Sequence, residues 1–226
     1  MMDPSMNNLL KWSIENSVPN PDTTSDTTSS NDPPATTAAP RAPRSISPTA
    51  LQRLLLNTPS DSELMKNAME TIRSPTASLS DKITAFDNLE QLVENIDNAN
   101  NLGVLGLWEP LVEELGALEE GRRMMGAWCI GTAVQNNEGA QGMLLSKVPT
   151  ALPTLFALSQ NDPHLTVRRK AIYALSSALR NHQPAMDELL RHLPEGVKKE
   201  IGESIDASNM DNVDRLVNRL RAGAGI

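Results

Sequence analysis

The chain has 226 residues, of which 39% are hydrophobic and 21% charged, and its formal net charge is -8. This acidic balance argues against a nucleic-acid partner, because such binding depends on Lys and Arg side chains that neutralise phosphates. The sequence shows no signal peptide and no run near the ~20 apolar residues of a membrane span, so we expect a soluble, cytoplasmic protein.

The first predicted element is a short amphipathic segment within residues 1–17. Leu9, Leu10 and Ile14 recur at helical spacing, and Trp12 adds a large aromatic side chain. A helix of this length is marginally stable alone in water. Two interpretations stay open: a frayed terminus, or a tethered interaction element that explains why apolar side chains lie outside a core.

Residues 18–48 are predicted to be a disordered linker. They are almost entirely Ser, Thr, Pro, Asp, Asn and Ala, and Ile46 is their only aliphatic residue larger than Val. Such a segment cannot bury enough apolar surface to offset its ordering entropy. The remaining residues, 49–226, are predicted to form one helical-repeat domain.

An internal repeat decides the fold class. The segment from Arg123 to Leu145 returns 45 residues later from Arg168 to Leu190, and a weaker upstream copy places Ala99 opposite Ala140. A period in the low forties is typical of armadillo and HEAT repeats. We therefore predict an all-α, armadillo-like, right-handed helical solenoid of about three repeats between Ala50 and Leu193.

Helix boundaries follow from capping residues and prolines. Asp61 or Ser62 begins a helix that reaches about Arg73, and Ser80 begins one that reaches about Asn98. Pro110 and Pro153 lie in the first turns of two further helices. A terminal helix from Asn212 to Ala222 is predicted to cap the last repeat through Val213, Leu216, Val217 and Leu220.

Catalytic motifs are missing from the sequence. It has no phosphate-binding loop, no nucleophile elbow and no zinc-protease motif. The three histidines, His164, His182 and His192, are too sparse for a metal site. We expect no enzyme, no metal and no cofactor.

The third helix of each repeat carries the candidate binding residues. In the helix from about Glu120 to Asn136, the predicted buried stripe is Ala127, Ile130, Ala133 and Val134, and Cys129 is expected in the core. A neighbouring row is Met124, Trp128, Thr132 and Asn136, and its equivalents are Arg169, Tyr173, Ser177 and Asn181, with Asp87, Gln91 and Asn95 upstream. In armadillo arrays these helices line the concave surface, so the row predicts a groove. The alternative is that the two aromatic residues pack between repeats.

Four segments identify a family resemblance. They are LLKWSIENS near the N-terminus, AFDNLEQLVENIDNANNLGVLGLWEPL from Ala85, AWCIGTAVQNN from Ala127 and VRRKAIYALSSALRNHQP from Val167. They closely resemble the armadillo-type nucleotide exchange factors of 70-kDa heat-shock chaperones, in the short form found in filamentous fungi. The resemblance covers the chain from about residue 7 to its end, apart from the linker.

The resemblance implies that the concave face embraces one lobe of the chaperone's nucleotide-binding domain and opens its cleft, so that ADP leaves faster. A monomer without a nucleotide site of its own suffices for this. The contacts that it implies are Asn98, Ala99, Trp108, Trp128, Thr132, Gln135, Asn136, Arg168, Tyr173, Arg180 and Asn181. The N-terminal segment resembles the family's release element, which is thought to mimic the chaperone's substrate.

The sequence differs from longer family members at one place, and two other functions remain open. Longer family members have another full repeat after the position of Leu193, so the clamp of this chain is expected to be shorter or weaker. The alternatives to an exchange factor are an armadillo adaptor that binds extended peptides and a scaffold for another globular partner. Against the peptide adaptor, Thr132 and Ser177 stand where its asparagine ladder would be.

Overall fold

The computed structural model describes residues 59–226, and within them it contains eleven α-helices and no strand. The helices are α1 Asp61–Arg73, α2 Leu79–Val93, α3 Ile96–Val104, α4 Trp108–Glu113, α5 Glu120–Val134, α6 Glu138–Lys147, α7 Ala151–Asn161, α8 Leu165–Leu179, α9 Gln183–His192, α10 Glu195–Ile201 and α11 Met210–Gly223. A single 3₁₀ turn, Glu114–Gly116, extends α4. The predicted all-α class is confirmed.

The first two helices begin slightly earlier than predicted. Ser60 caps α1 in a capping box with Glu63, and Ser78 caps α2 in a capping box with Asp81. Each serine accepts a hydrogen bond from the acidic residue's backbone amide, while the carboxylate accepts one from the serine's own backbone amide. The predicted start at Ser80 was wrong because Ser78 has the acidic partner at the right spacing.

The helix predicted from Ser80 to Asn98 is two helices. α2 ends at Val93, and Asn95 then caps α3 by accepting hydrogen bonds from the backbone amides of Asp97 and Asn98. Asn side chains are among the best N-caps, because they satisfy amides that lack intrahelical partners. Asn98 therefore lies in the first turn of the next helix.

The helices group into repeats of three. α3 to α5 form one unit and α6 to α8 the next, and α2 precedes them as the third helix of an incomplete unit. The third helices α2, α5 and α8 stack in parallel. Between α5 and α2, the Cys129 thiol donates to the Phe86 carbonyl oxygen at 3.5 Å, near the middle of each helix. Between α8 and α5, the Thr166 hydroxyl donates to Glu120, and both residues lie at the start of their helices.

The predicted buried stripe lies in the core. Ala127, Ile130, Ala133 and Val134 are all buried where α5 packs against its neighbours. Cys129 is fully buried, and burial raises the pKa of its thiol well above the usual range. The 3.6-residue period thus gave the correct inner face of this helix.

The repeat is also visible in the loops. Arg123 donates from Nη1 to the carbonyl oxygens of Ala117 and Leu118, and Arg168 donates in the same way to Asp162 and Pro163. In each case the guanidinium holds the loop that enters its own helix. These arginines fix how the second helix of a unit turns into the third.

The C-terminal end differs from the stacked repeats. Arg180, just after α8, bonds Asp214 near the start of α11, whereas Arg168, near the start of α8, donates to the Ala224 carbonyl oxygen after the end of α11. α11 therefore runs antiparallel to α8. Its apolar face is buried through Val213, Leu216, Val217 and Leu220. None of the helices in residues 59–226 is long and apolar enough to cross a membrane.

Candidate protein-binding face

The outer sides of α2, α5 and α8 form a surface that we call the third-helix face. It is lined by Asp87, Gln91 and Glu94 of α2 and its end, by Trp128, Thr132 and Gln135 of α5 and its end, and by Arg169, Lys170 and Tyr173 of α8. Because the three helices are parallel and adjacent, side chains separated by about one repeat in sequence meet on this face.

A hydrogen-bonded chain links the three helices. The Thr132 hydroxyl donates to Oε1 of Glu90 at 2.7 Å and lies 3.4 Å from the Tyr173 hydroxyl, which donates to Oε1 of Gln135 at 3.0 Å. Glu90 is a buried carboxylate on α2. These hydrogen bonds hold the Tyr173 side chain in one orientation in the unbound protein.

Lys170 lies between the two aromatic residues. Its ammonium is 3.2 Å from the centroid of the Trp128 ring and 5.6 Å from that of Tyr173. Burial lowers the pKa of Lys170, and the nearby charge of Glu90 acts in the opposite direction. A cation over an aromatic face gains about 0.5–2 kcal/mol, more where water is excluded.

Gly131 allows this arrangement. A Cβ added at Gly131 would lie 2.6 Å from Cδ1 and Cε1 of Tyr173 and 3.0 Å from Cα of Ala174. Atoms cannot approach so closely, so only glycine lets α8 come near enough for the Tyr173 ring to lie over α5. The alternative that Trp128 and Tyr173 pack between repeats is correct in part, because both rings are half-buried.

The predicted partner-binding residues fall into three groups by exposure. Exposed are Asp87, Gln91, Asn95, Gln135, Asn136, Arg169 and Asn181. Half-buried are Trp128, Thr132, Arg168, Tyr173 and Arg180. Buried are Asn98, Ala99, Trp108 and Ser177. The first two groups remain candidates, whereas the buried side chains are not available to a partner in this structure.

Ala99 and Trp108 are the clearest corrections. Ala99 is 1% exposed, and its repeat equivalents Ala140 and Ala185 are buried as well, so packing explains why alanine recurs. Trp108 is 0% exposed in the core. The family resemblance implied that both residues contact the partner, but residues that are shared within a family can equally belong to its core.

Asn98 and Ser177 are also used within the protein. Asn98 donates from Nδ2 to Asp61 at 2.8 Å and to the Leu92 carbonyl oxygen at 3.0 Å, which ties α1 to the break between α2 and α3. The Ser177 carbonyl oxygen accepts from Gln141 at 2.9 Å. Both positions therefore hold helices together.

Arg168 and Arg180 bond to the C-terminal part of the chain. Arg168 donates from Nε to Ala224 at 2.9 Å, and Arg180 bonds Asp214 and lies 3.3 Å from the Met210 sulfur. Asn136 and Asn181 follow α5 and α8 with φ angles of 52° and 57°. Asn tolerates this left-handed conformation better than most residues, so a helix-ending role accounts for their recurrence.

Lys170 is the residue that sequence reasoning missed. A usable signal was its spacing, because residues three apart on a helix share a face and Lys170 precedes Tyr173 by that interval. Within residues 59–226 no cluster of His, Cys, Asp and Glu could hold a metal ion. The third-helix face presents aromatic rings, amides and charged groups side by side.

Comparison with known proteins identifies the family. The Hsp70 nucleotide exchange factor FES1 of Coccidioides immitis is 54% identical over 220 residues, which cover 97% of this chain and 98% of that protein. The chain belongs to the Fes1 family of nucleotide exchange factors. A profile of this family, described as nucleotide exchange factor Fes1, matches residues 6–102, which include the predicted N-terminal segment with Leu9, Leu10, Trp12 and Ile14. That segment lies outside the described residues.

Other relatives differ in how much of them is matched. The Hsp70 nucleotide exchange factor FES1 of Gibberella zeae is 46% identical over 100% of this chain and 99% of its own length. FES1 of Eremothecium gossypii is 38% identical over 80% of this chain but only 57% of its own length. Much of the Eremothecium gossypii protein therefore lies beyond the matched region, as expected for longer Fes1 proteins.

A solved structure supports the fold alone. The crystal structure of an engineered protein superposes with a TM-score of 0.52 at 14% identity, covering 73% of this chain and 68% of that chain. At this identity the likeness concerns architecture. Together with the Fes1 relatives, it agrees with the armadillo-like arrangement predicted from the repeat.

Proposed function

We propose that this protein is a co-chaperone that accelerates ADP release from a cytoplasmic 70-kDa heat-shock chaperone. Its third-helix face would bind one lobe of the chaperone's nucleotide-binding domain as a concave groove. The observation that carries the proposal is its near full-length similarity to proteins named Hsp70 nucleotide exchange factors. The prearranged Trp128, Lys170 and Tyr173 cluster supplies a surface suited to that task.

The mechanism requires no chemical step on this chain. A protein that binds the open state of a partner more tightly shifts the partner toward that state by the difference in binding free energy. Each ~1.4 kcal/mol of preference changes the open population about tenfold. By linkage, ADP must then weaken binding of this protein by the same factor as this protein weakens binding of ADP.

The rigidity of the face favours this role. Tyr173 is fixed by Thr132 and Gln135, and Gly131 sets its distance from α5. A prearranged surface loses little conformational entropy on binding, so more of its contact energy is available to stabilise the open chaperone.

The peptide-adaptor alternative is less well supported. An adaptor would need free side-chain amides or hydroxyls along the third helices to bond an extended peptide backbone. Thr132 already bonds Glu90, and Ser177 is buried. These two positions are thus committed to contacts between helices.

The direct test is stopped-flow release of a fluorescent ADP analogue from the purified chaperone. Saturating full-length protein should increase the release rate and should hydrolyse no ATP by itself. The control is a second exchange factor of another fold, which shows that the chaperone preparation can respond. An unchanged rate with this protein, beside a response to the control, would overturn the proposal.

The N-terminal segment is proposed to help substrates leave the chaperone. A flexible chain as long as residues 18–48 spans about 30 Å root-mean-square, and short flexible tethers give local concentrations of about millimolar. Deleting residues 1–17 should leave ADP release intact but slow the release of a tightly bound peptide. Loss of exchange activity would assign the segment to the clamp, and unaffected peptide release would favour a frayed terminus.

A further inference from the structure

The charges of the third-helix face are unevenly distributed. Its α2 side carries the exposed Asp87 and Glu94, with the buried Glu90 beneath them, whereas its α8 side carries Arg169 and Lys170. Between them, α5 presents Trp128, Thr132 and Gln135, which are uncharged. The face therefore has an acidic edge and a basic edge although the whole chain is acidic, with a net charge of -8.

Lys170 differs from the half-buried arginines of α5. Arg122 pairs with Glu114 at 2.8 Å, and Arg123 pairs with Asp162 at 2.7 Å. Among residues 59–226, by contrast, Lys170 forms no salt bridge and donates no side-chain hydrogen bond, and its close contact is the Trp128 ring. Its charge is partly desolvated, and the nearby buried Glu90 acts on it without forming a salt bridge.

The geometry leaves the Lys170 side chain partly accessible. The Trp128 ring covers one side of its ammonium at 3.2 Å, the Tyr173 ring lies farther away at 5.6 Å, and Lys170 as a whole is half-buried rather than enclosed. The ring also fixes a side chain that would otherwise sample many rotamers. A cation that is already positioned and partly dehydrated interacts more strongly with an incoming anion than a fully hydrated lysine does.

We propose that Lys170 receives a carboxylate from the surface of the chaperone's nucleotide-binding domain, and that this contact orients the partner across the third-helix face. The inference rests on the proposed function. An acidic group on the partner meets the basic α8 edge, and the same orientation keeps it away from Asp87 and Glu94 on α2. Charge complementarity of this kind selects one docking orientation and accelerates association.

The test measures how chaperone binding depends on salt. The dissociation constant of the full-length protein for the chaperone's nucleotide-binding domain is determined by calorimetry at several salt concentrations. Lys170→Met should weaken binding about tenfold or more at low salt, as expected when one partner of a partly desolvated charge pair is removed, and should flatten the salt dependence. Lys170→Arg keeps the charge and should retain most of the affinity and the salt dependence.

Two controls separate charge from folding. Lys147→Met removes an exposed lysine at the end of α6, away from this face, and should leave affinity and salt dependence unchanged. Lys170→Gln is a second charge-removing variant if the methionine variant melts at a lower temperature than wild type. Both folded charge-removing variants should show the same flattened salt dependence.

The outcomes distinguish this inference from the proposed function. If the wild-type protein accelerates ADP release while Lys170→Met binds with unchanged affinity, the inference is wrong and the proposed function stands. Weaker binding with an unchanged salt dependence also overturns it, because that result assigns Lys170 to packing. If the wild-type protein neither binds nor accelerates ADP release, both are wrong.

Discussion

Two sets of residues on α5 and α8 are used in opposite ways. Arg123 and Arg168 occupy equivalent repeat positions and each donates to two carbonyl oxygens of the preceding loop. Lys170 has no such equivalent, since the residue one repeat earlier is the buried Met125. In this comparison the recurring arginines hold the solenoid's loops, whereas Lys170, which has no equivalent in the preceding repeat, lies half-buried on the third-helix face.

This contrast makes separable predictions. Changing a recurring residue should lower the free energy of unfolding, because its contacts join helices. Changing a residue that is particular to the third-helix face should weaken chaperone binding with a smaller effect on folding.

The largest effect is expected from Ala99→Arg. Ala99 is buried at a position where alanine recurs, so a long cation there must displace neighbours or remain buried without a counter-ion. We expect a loss of about 4 kcal/mol in the free energy of unfolding, measured by urea denaturation. Ala157→Arg, on the exposed side of α7, is the matched control and should change it by less than about 0.5 kcal/mol. A wild-type melting temperature for Ala99→Arg would instead favour a binding role.

Arg123→Met should be the next most disruptive change. The variant leaves Asp162 buried without its guanidinium partner, which costs about 3 kcal/mol. Burial tends to raise the pKa of Asp162, but hydrogen bonds from Arg123 and His164 lower it overall. This carboxylate therefore stabilises the fold above about pH 4 and loses that contribution as the pH falls through its lowered pKa.

The control for Arg123→Met is an exposed ion pair. Arg73 and Glu113 form a salt bridge of 3.2 Å with side chains 55% and 64% exposed. Arg73→Met should cost less than about 0.5 kcal/mol in the same denaturation experiment, since water screens such pairs. Equal losses for the two arginine variants would contradict the structural role of Arg123.

Replacing both Trp128 and Tyr173 by Ala should weaken chaperone binding by about 2 kcal/mol or more, since clustered aromatic residues often dominate interfaces. Calorimetry checks this, with urea denaturation to confirm that the variant folds. Val104→Ala and Leu118→Ala are controls, because these residues are 81% and 95% exposed and belong to α3 and to the loop before α5, outside the residues that line the third-helix face. Unchanged affinity in the double variant would place the interface elsewhere.

The smallest effect concerns His182, which caps α9 by accepting a hydrogen bond from the Ala185 amide at Nδ1, 3.2 Å away. Burial lowers the pKa of His182, so the folded state favours the neutral ring. The contribution of His182 to the free energy of unfolding should be fully present above about pH 6.5. It should decline as the pH falls below that value, because the histidine of the unfolded chain takes up a proton first. Melting temperatures between about pH 8 and pH 5 test this.

Asn137 shows which substitution of His182 would keep the cap without a titratable group. It stands one repeat earlier and caps α6 by accepting from the Ala140 amide at 3.1 Å, without a titratable ring. His182→Asn should therefore keep the cap and remove its share of the pH dependence. His182→Ala should lower the free energy of unfolding by about 1 kcal/mol at neutral pH, because the cap is lost. An unchanged pH profile in His182→Asn would assign the dependence to other groups.

Spacing rules predicted the architecture well. The repeat offset and the 3.6-residue period together located α5 and α8, the buried stripe from Ala127 to Val134, and the apolar face of α11. These features depend on local periodicity, which the sequence contains in full. The same rules missed the end of α2, because the apolar pattern continues past Asn95, whose side chain caps the next helix.

The binding face was predicted less completely. Trp108 and Trp128 both lie in apolar helical surroundings, and only the packing of neighbouring repeats makes one fully buried and the other half-exposed. Lys170 was missed for a related reason. A lysine on the outer face of a helix usually indicates solvated charge, and its contact with Trp128 depends on how closely Gly131 lets α8 approach.

The buried thiol of Cys129 has a practical consequence. It is the single cysteine of the chain and it bonds Phe86 across the junction of α2 and α5. Because alkylating reagents require an exposed thiolate, labelling can proceed only when that junction opens. The rate of modification by a thiol reagent would thus report local opening of the repeat stack, without any engineered probe, and chaperone binding to these helices should slow it.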